Sequence, residues 1–391
     1  MSNIVGEFQK NLDYYFSEAL NRPFARPYWV FFSLLHKCNF NCQMCGVKKV
    51  LQDQELDINV LKKSLDEVAG WGTDCTVLFT GGEIFLRKDI FEIICYSVSL
   101  GLKTEAVTNG SLIDTPQFAA RVIDSGLSNI AVSLDGACAR THDYIRGTEG
   151  AYSKAIRALR FLSEEKKKAS HGPQISAWVT MMKENVHELY DIIPLAREVG
   201  VECLVYHPVI VAQADMQNTI KGGGLWITPE LLGVFKSQVD RIVEYQKSSG
   251  LVAFLHDPYQ WLGYFQGSLT KSDWKCNPFV FVDVGPDGAV RSCGPSFGNI
   301  KDMSLNDCLH TESARMARER MRACDKPCLQ TCWARPGADS LKMVVNDFVT
   351  ALDRSSLTKA EKRQALEEGI GSMDKYEEVV LGDKHYGTPA K

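Results

Sequence analysis

The sequence predicts an α/β fold: a parallel sheet, open or partly closed as a barrel, followed by a small cysteine-bearing domain. Two observations carry this. Short β-rich stretches alternate with helical patterns through six units, so the apolar period switches repeatedly between two and about 3.6. The rhythm breaks after His207, and from Phe279 the pattern becomes that of a hairpin.

The β-rich stretches are Trp29 to Leu35, Thr76 to Thr80, Thr104 to Thr108, Asn129 to Leu134, Ile175 to Met181 and Cys203 to His207. Helical patterns such as Ile58 to Val68, Asp89 to Leu100 and Ala151 to Glu165 separate them. Such alternation puts function at the carboxyl ends of the strands. Ahead of it, Phe8, Leu12, Tyr15, Phe16 and Ala19 share one helical face, a stripe for docking on the body. Past His207, K-G-G-G-L-W at 221–226 reads as a loop. Thr228 as N-cap and Pro229 in the first turn then start a connector helix to about Lys247. F-V-F-V-D-V, G-P-D-G and A-V-R-S-C make two strands around a turn, and a helix is expected near Ser304 to Arg322. The expected segments are therefore 1–27 helical, 28–207 core, 208–275 connector, 276–338 cysteine domain and 339–391 a helical extension.

The 391 residues are 45% apolar and 24% charged, the balance of a globular chain with a sizeable core. A net charge of −4 leaves no basic footprint for nucleic acid, and E-E-K-K-K at 164–168 reads as a solvated helix end. Glu7 and Asp13 interrupt any secretory signal, and Tyr28 to Leu35 is too short to span a bilayer. A cytoplasmic protein without a membrane span is expected.

Thirteen cysteines in such a chain point to metal or redox chemistry rather than disulfides. Cys75, Cys95, Cys138 and Cys203 are scattered and read as buried, inert thiols. Cys38, Cys42 and Cys45 are different: they form C-x3-C-x2-C on one loop after the first strand. A structural zinc site wants four closed ligands, whereas three thiolates on a four-iron cluster leave one iron open to a further ligand. Zinc held with a distant fourth residue is the alternative.

The loop is followed by T-G-G-E at 80–83, V-T-N-G at 107–110 and V-S-L-D-G at 132–136, each after a successive strand. This ordered set, over roughly residues 28–207, resembles the radical S-adenosylmethionine (radical SAM) enzymes. The resemblance implies a partial (β/α)6 TIM-like barrel in which S-adenosylmethionine chelates the open iron of a [4Fe-4S] cluster. By motif, Gly81, Gly82 and Glu83 would meet its methionyl amine, glycines allowing close backbone approach. Asn109, Ser133 and Asp135 would lie near its ribose or carboxylate, and Arg146 of H-D-Y-I-R-G would pair with the carboxylate. Two departures stand out: Met44 where the family has an aromatic residue, and Ile84 where its glycine motif ends in proline.

The later cysteines resemble the SPASM and twitch extensions of the same superfamily, which hold auxiliary clusters. Gly288 to Cys293 gives G-x4-C, Cys276 precedes the hairpin, and Cys328 and Cys332 form C-x3-C. Two fully thiolate-bound auxiliary clusters would need eight cysteines; six lie beyond residue 275, including Cys308 in a helical pattern where it reads as inert. One auxiliary [4Fe-4S] cluster is expected, on Cys276, Cys293, Cys328 and Cys332 with Cys324 as the substitute. A zinc ribbon is the alternative.

The resemblance implies reductive cleavage of S-adenosylmethionine to a 5′-deoxyadenosyl radical that abstracts a substrate hydrogen atom. An auxiliary cluster favours an oxidative outcome, dehydrogenation or crosslinking of a peptide, carbohydrate or other small metabolite. A redox-neutral epimerase or decarboxylase, and a non-catalytic iron–sulfur or zinc sensing or assembly module, are the competing expectations. The chemistry requires an electron donor such as flavodoxin or ferredoxin. About 28 residues precede the first strand, where a separate peptide-recognition domain would add many more, which disfavours leader-dependent peptide maturation.

Overall fold

The structure, a computed structural model, describes residues 2–47, 54–72, 75–210, 224–254, 257–270, 273, 276–325, 328–329, 340–373 and 376. It forms two compact units, Pro27–Ala334 and the joined terminal segments Met1–Arg26 and Arg335–Lys391. Among the described residues no helix is long and apolar enough to cross a membrane.

In the terminal unit, α1 (Ser2–Leu20) packs on α12 (Leu341–Arg354) and α13 (Lys359–Gly371). Phe8 and Leu12 of the predicted stripe are buried with Val344, Phe348, Leu352 and Ala365, and Phe8 stacks on Phe348. The apolar face thus finds its cover in the C-terminal helices. A capping box at Thr358 and Glu361 starts α13.

The larger unit is built on one sheet. β1 (Trp29–Ser33), β2 (Thr76–Thr80), β3 (Lys103–Thr108), β4 (Asn129–Ser133), β5 (Gln174–Met181) and β6 (Cys203–Pro208) run parallel in chain order, and the short β7 (Val252–Ala253) follows β6. All six predicted strands are present. On β1, Val30 and Phe32 are buried in the core while Trp29, Phe31 and Ser33 face the other way. Val30, Val77, Phe79 and Ile130 pack under α2 (Ile58–Gly70), α3 (Ile90–Ser99), α4 (Pro116–Ile123) and α6 (Ala151–Ala169). Each such side chain contributes roughly 1.5–3 kcal/mol. Local chemistry places the helix starts: Asp57 accepts from Asn59 and Val60, and Thr115 with Pro116 opens α4. The short α5 (Ala139–Arg146) and α7 (Ile192–Glu198) complete the core.

The connector begins differently from expectation. Thr228 makes no side-chain cap; Pro229–Leu231 forms a 3-10 turn before α8 (Leu232–Ser249), and α9 (Gln260–Gln266) follows. β8 (Phe281–Val284) and β9 (Ala289–Arg291) form the predicted hairpin, with β10 (Gly298–Asn299) beside β9. β8 lies parallel to β1, Asp283 opposite Phe31, so the hairpin extends the barrel sheet itself. The helix expected over 304–322 is two, α10 (Leu305–His310) and α11 (Glu312–Ala323). Extended Thr311 ends the first, and its hydroxyl accepts from Ala314 to start the second.

Candidate functional site

The three-cysteine loop leaves β1 and is held from three sides. At the end of β2, Gly82 N–H donates to Leu35 O at 2.7 Å and Glu83 N–H to Lys37 O at 3.0 Å. Gly81 has φ +128°, and a Cβ on Gly82 would lie 2.0 Å from the Lys37 carbonyl oxygen. Gly82 is therefore required by the loop's own backbone. At the end of β3, Asn109 donates to the Asn39 side chain at 2.9 Å, and Asn39 donates to Ser111 at 2.8 Å. From α5, the Ile145 and Arg146 carbonyls accept from Gln43 and Asn41 at 2.8 and 3.2 Å. Gly147 follows at φ +57°, where a Cβ would come within 2.0 Å of Asn41 O. Phe40, fully buried, pins the loop's middle.

Cys38 and Cys42 are half-buried and Cys45 is exposed. Arg146, buried, points one guanidinium nitrogen at Cys42 Sγ, 3.8 Å away, and another at Asp135 Oδ2, 2.6 Å away. Burial pushes the Cys42 thiol up while Arg146 pulls it back. Asp135 is anchored by the Thr180 amide at 2.7 Å; burial pushes its carboxyl up, against the pull of Arg146. Nearby, His207 is lowered to about 4, by burial first and the Arg146 charge second, so it is neutral and shares a 3.1 Å hydrogen bond with Thr180.

The Glu83 side chain is engaged within the protein. Its fully buried carboxylate accepts from Phe85 N–H, Thr108 Oγ1 and Asn109 N–H at 3.2, 2.7 and 2.8 Å, lacing the end of β2 to the end of β3. Asp135 and Arg146 are likewise engaged with each other, whereas Ser133 is half-buried at the end of β4 with no side-chain partner among the described residues. Phe40, Asn39, Thr108 and Gly147 were missed from sequence; Asn39 and Phe40 sit inside the C-x3-C spacing itself.

Cys276, Cys293 and Cys328 pack together against Phe281 of β8 and Met321 of α11. Burial raises the Cys293 thiol, and negative charge on Cys328 and Cys324 would raise it further, so Cys324 belongs to this neighbourhood. Cys332 lies outside the described residues. Cys308 is buried under β10, pushed up to about 11 by burial, consistent with an inert thiol. The scattered cysteines divide: Cys75 is buried, but Cys138 and Cys203 are half-buried and Cys95 is exposed on α3. Helical period alone does not say which face of α3 meets the sheet. Among the described residues no three acidic, histidine or cysteine side chains converge on a point that would hold a single metal ion. A cubane separates its thiolates more widely than one ion does.

A family model for the radical SAM superfamily matches residues 32–196. Residues 32–196 are a radical SAM domain. A second model, for an iron–sulfur cluster-binding domain of the SPASM type, matches residues 276–333 and spans the second cysteine group. Among curated radical SAM relatives, the AdoMet-dependent heme synthase of Methanosarcina barkeri is 34% identical over 183 residues, covering 46% of this chain and 50% of that protein. The PqqA peptide cyclase of Rhodopseudomonas palustris is 30% identical over 182 residues, 46% of each. The chain thus spans about half the length of these relatives. Among solved structures, native anSMEcpe with bound AdoMet and Cp18Cys peptide superposes with a TM-score of 0.57 at 17% identity, over 92% of this chain and 99% of that one. That likeness establishes the fold: a TIM-like partial barrel with a hairpin-and-helix extension.

Proposed function

We propose that this chain is a radical SAM enzyme performing an oxidative modification, dehydrogenation or crosslinking, with a peptide as the favoured substrate class over a carbohydrate or other small metabolite. The observation that carries it is the three-thiol loop clamped at the carboxyl end of the parallel sheet by β2, β3 and α5 at once. The donor set fits a four-iron cluster: three soft thiolates with a buried guanidinium beside one of them, its Nε unpartnered among the described residues. Cys38, Cys42 and Cys45 would hold that cluster. Cys276, Cys293 and Cys328, with Cys324 or Cys332, would hold an auxiliary [4Fe-4S] cluster.

When bound, the cluster and S-adenosylmethionine supply the one-electron cleavage and the hydrogen-atom abstraction. The protein's share is positional. Gly81 and Gly82 keep the end of β2 free of side chains where the methionyl amine would approach. Ser133 offers a hydroxyl at the end of β4, and Asn109 fixes the loop through Asn39. Glu83, Asp135 and Arg146 act by holding strand ends and thiols in place. Trp29, Phe31 and Phe281, an aromatic cluster on β1 and β8, would help to exclude water from a substrate over the sheet. The peptide preference is supported by what the relatives are: a peptide cyclase and a structure with a bound peptide. Flavodoxin or ferredoxin would deliver the electron in the cytoplasm, where thiols stay reduced.

The test is anaerobic reconstitution with iron and sulfide, followed by reduction with S-adenosylmethionine present. About eight irons per chain are expected, with 5′-deoxyadenosine formed. Replacing Cys38, Cys42 and Cys45 together with alanine should remove about half the iron and all cleavage. Cleavage surviving in that triple variant would overturn the proposal.

A further inference from the structure

The strongest unassigned feature is a buried charge relay that ends on one thiol. Arg146 is only 7% exposed and Asp135 is completely buried, yet the guanidinium is not consumed by the carboxylate. It bridges Asp135 Oδ2 at 2.6 Å and Cys42 Sγ at 3.8 Å. The bridge is not free to drift. Asp135 is fixed through the Thr180 amide and by the Asn185 side chain, which donates to the Asp135 carbonyl at 2.9 Å. Cys42 is fixed because its neighbours Asn41 and Gln43 hydrogen-bond the Arg146 and Ile145 carbonyls. Gly147 allows the backbones to approach so closely. The residue that carries the charge therefore also positions the thiol it addresses.

We propose that Arg146 is a positioning residue for the N-terminal cluster: its guanidinium stabilises the reduced state through Cys42, and Asp135 sets how much of that charge the thiolate feels. This rests on the proposal that Cys38, Cys42 and Cys45 hold that cluster. Reduction adds one negative charge to a thiolate-bound cluster, so a fixed cation beside one thiolate favours the reduced form and raises the potential. Asp135, beyond the cation, opposes it. Removing the two groups must then shift the potential in opposite directions, and a merely structural pair has no reason to do so.

The experiment is an EPR-monitored redox titration of the reconstituted full chain without S-adenosylmethionine. The N-terminal signal is assigned as the one lost when Cys38, Cys42 and Cys45 are replaced by alanine. Arg146→Gln is expected to make reduction at least about tenfold less favourable, a downward shift of ~59 mV or more for a one-electron couple. Asp135→Asn is expected to shift it upward, and Arg146→Lys to remain nearer the parent than Arg146→Gln. If Arg146→Gln assembles no N-terminal cluster, Asp135→Asn and Arg146→Lys carry the test. A signal that stays put in Asp135→Asn, or variants that move in the same direction, would overturn the inference. If the parent itself shows no signal dependent on the three cysteines, it is the underlying function proposal that fails.

Discussion

The two cysteine groups of this chain are built on opposite plans. Cys38, Cys42 and Cys45 share one loop whose backbone is bonded to β2 and α5 and whose side chains are tied to β3, so eight consecutive residues carry all the thiols. Cys276, Cys293 and Cys328 come from the two ends of a hairpin and the segment after a helix, gathered by Phe281 and Met321 rather than by spacing. In the first group, geometry is local and supported from outside; in the second, it is the product of the fold around it. The first should therefore fail when its supports are disturbed, and the second when its strands lose their partner.

The largest effect that separates the groups is removal of the second one. Cys276→Ala with Cys293→Ala should take away about half the iron. Reductive cleavage without substrate should stay within about threefold of the parent, less than 1 kcal/mol on the barrier. Cys276 lies ahead of β8 and Cys293 just past β9, outside the paired residues of both strands. Measured as 5′-deoxyadenosine per chain, a collapse to the level of the Cys38, Cys42 and Cys45 triple variant would show that the groups are not independent.

A smaller effect tests the supports. Gly82→Ala and Gly147→Ala each place a Cβ about 2 Å from a loop carbonyl oxygen, and such overpacking costs about 1–3 kcal/mol. Both variants should lose N-terminal cluster iron, because the atom displaced belongs to the cysteine loop. Gly294, next to Cys293, also has a positive φ, +82°, but nothing within 4 Å of its would-be Cβ. Gly294→Ala should pay only the left-handed penalty of about 1–2 kcal/mol and keep its iron. Iron analysis with thermal midpoints decides it: equal iron loss in all three would erase the distinction.

The same contrast explains what could be read from the sequence. The C-x3-C-x2-C loop, the strand-end motifs and the six strands were legible because each depends on neighbours within a few residues. The clamp was not, since Asn41 and Arg146 meet across more than a hundred residues with no local signature. G-G-E and L-D-G were legible as motifs, but not the partners their carboxylates take: Glu83 bonds Thr108 and Asp135 pairs with Arg146. The hairpin was visible, but its parallel docking on β1 is a topological choice that period-two alternation does not encode. Thr311 reads as one polar residue in a helix until its hydroxyl is seen to start a second one.

That docking supplies the smallest and most specific prediction. Asp283 of β8 lies opposite Phe31 of β1, and Ser33 Oγ donates to its Oδ1 at 2.9 Å. Burial pushes the Asp283 carboxyl above its usual range, while the Ser33 hydroxyl and Arg291 pull it back only partly. A carboxyl raised on folding binds its proton more tightly in the native state, so stability is highest below its unfolded range and falls as pH climbs through the folded value. Asp283→Asn keeps an acceptor for Ser33 and removes the charge. Below the ordinary carboxyl range, where the side chain is protonated folded and unfolded alike, the thermal midpoints of the two apoproteins should nearly coincide; at neutral pH the variant should melt higher. The difference should grow between those limits and then level off. If Asp283→Asn instead melts lower than the parent at pH 7, the ionised carboxylate is a stabilising partner in the β8 to β1 seam. The hairpin would then be attached by charge as well as by its strand, and the second cysteine group would depend on a local support after all.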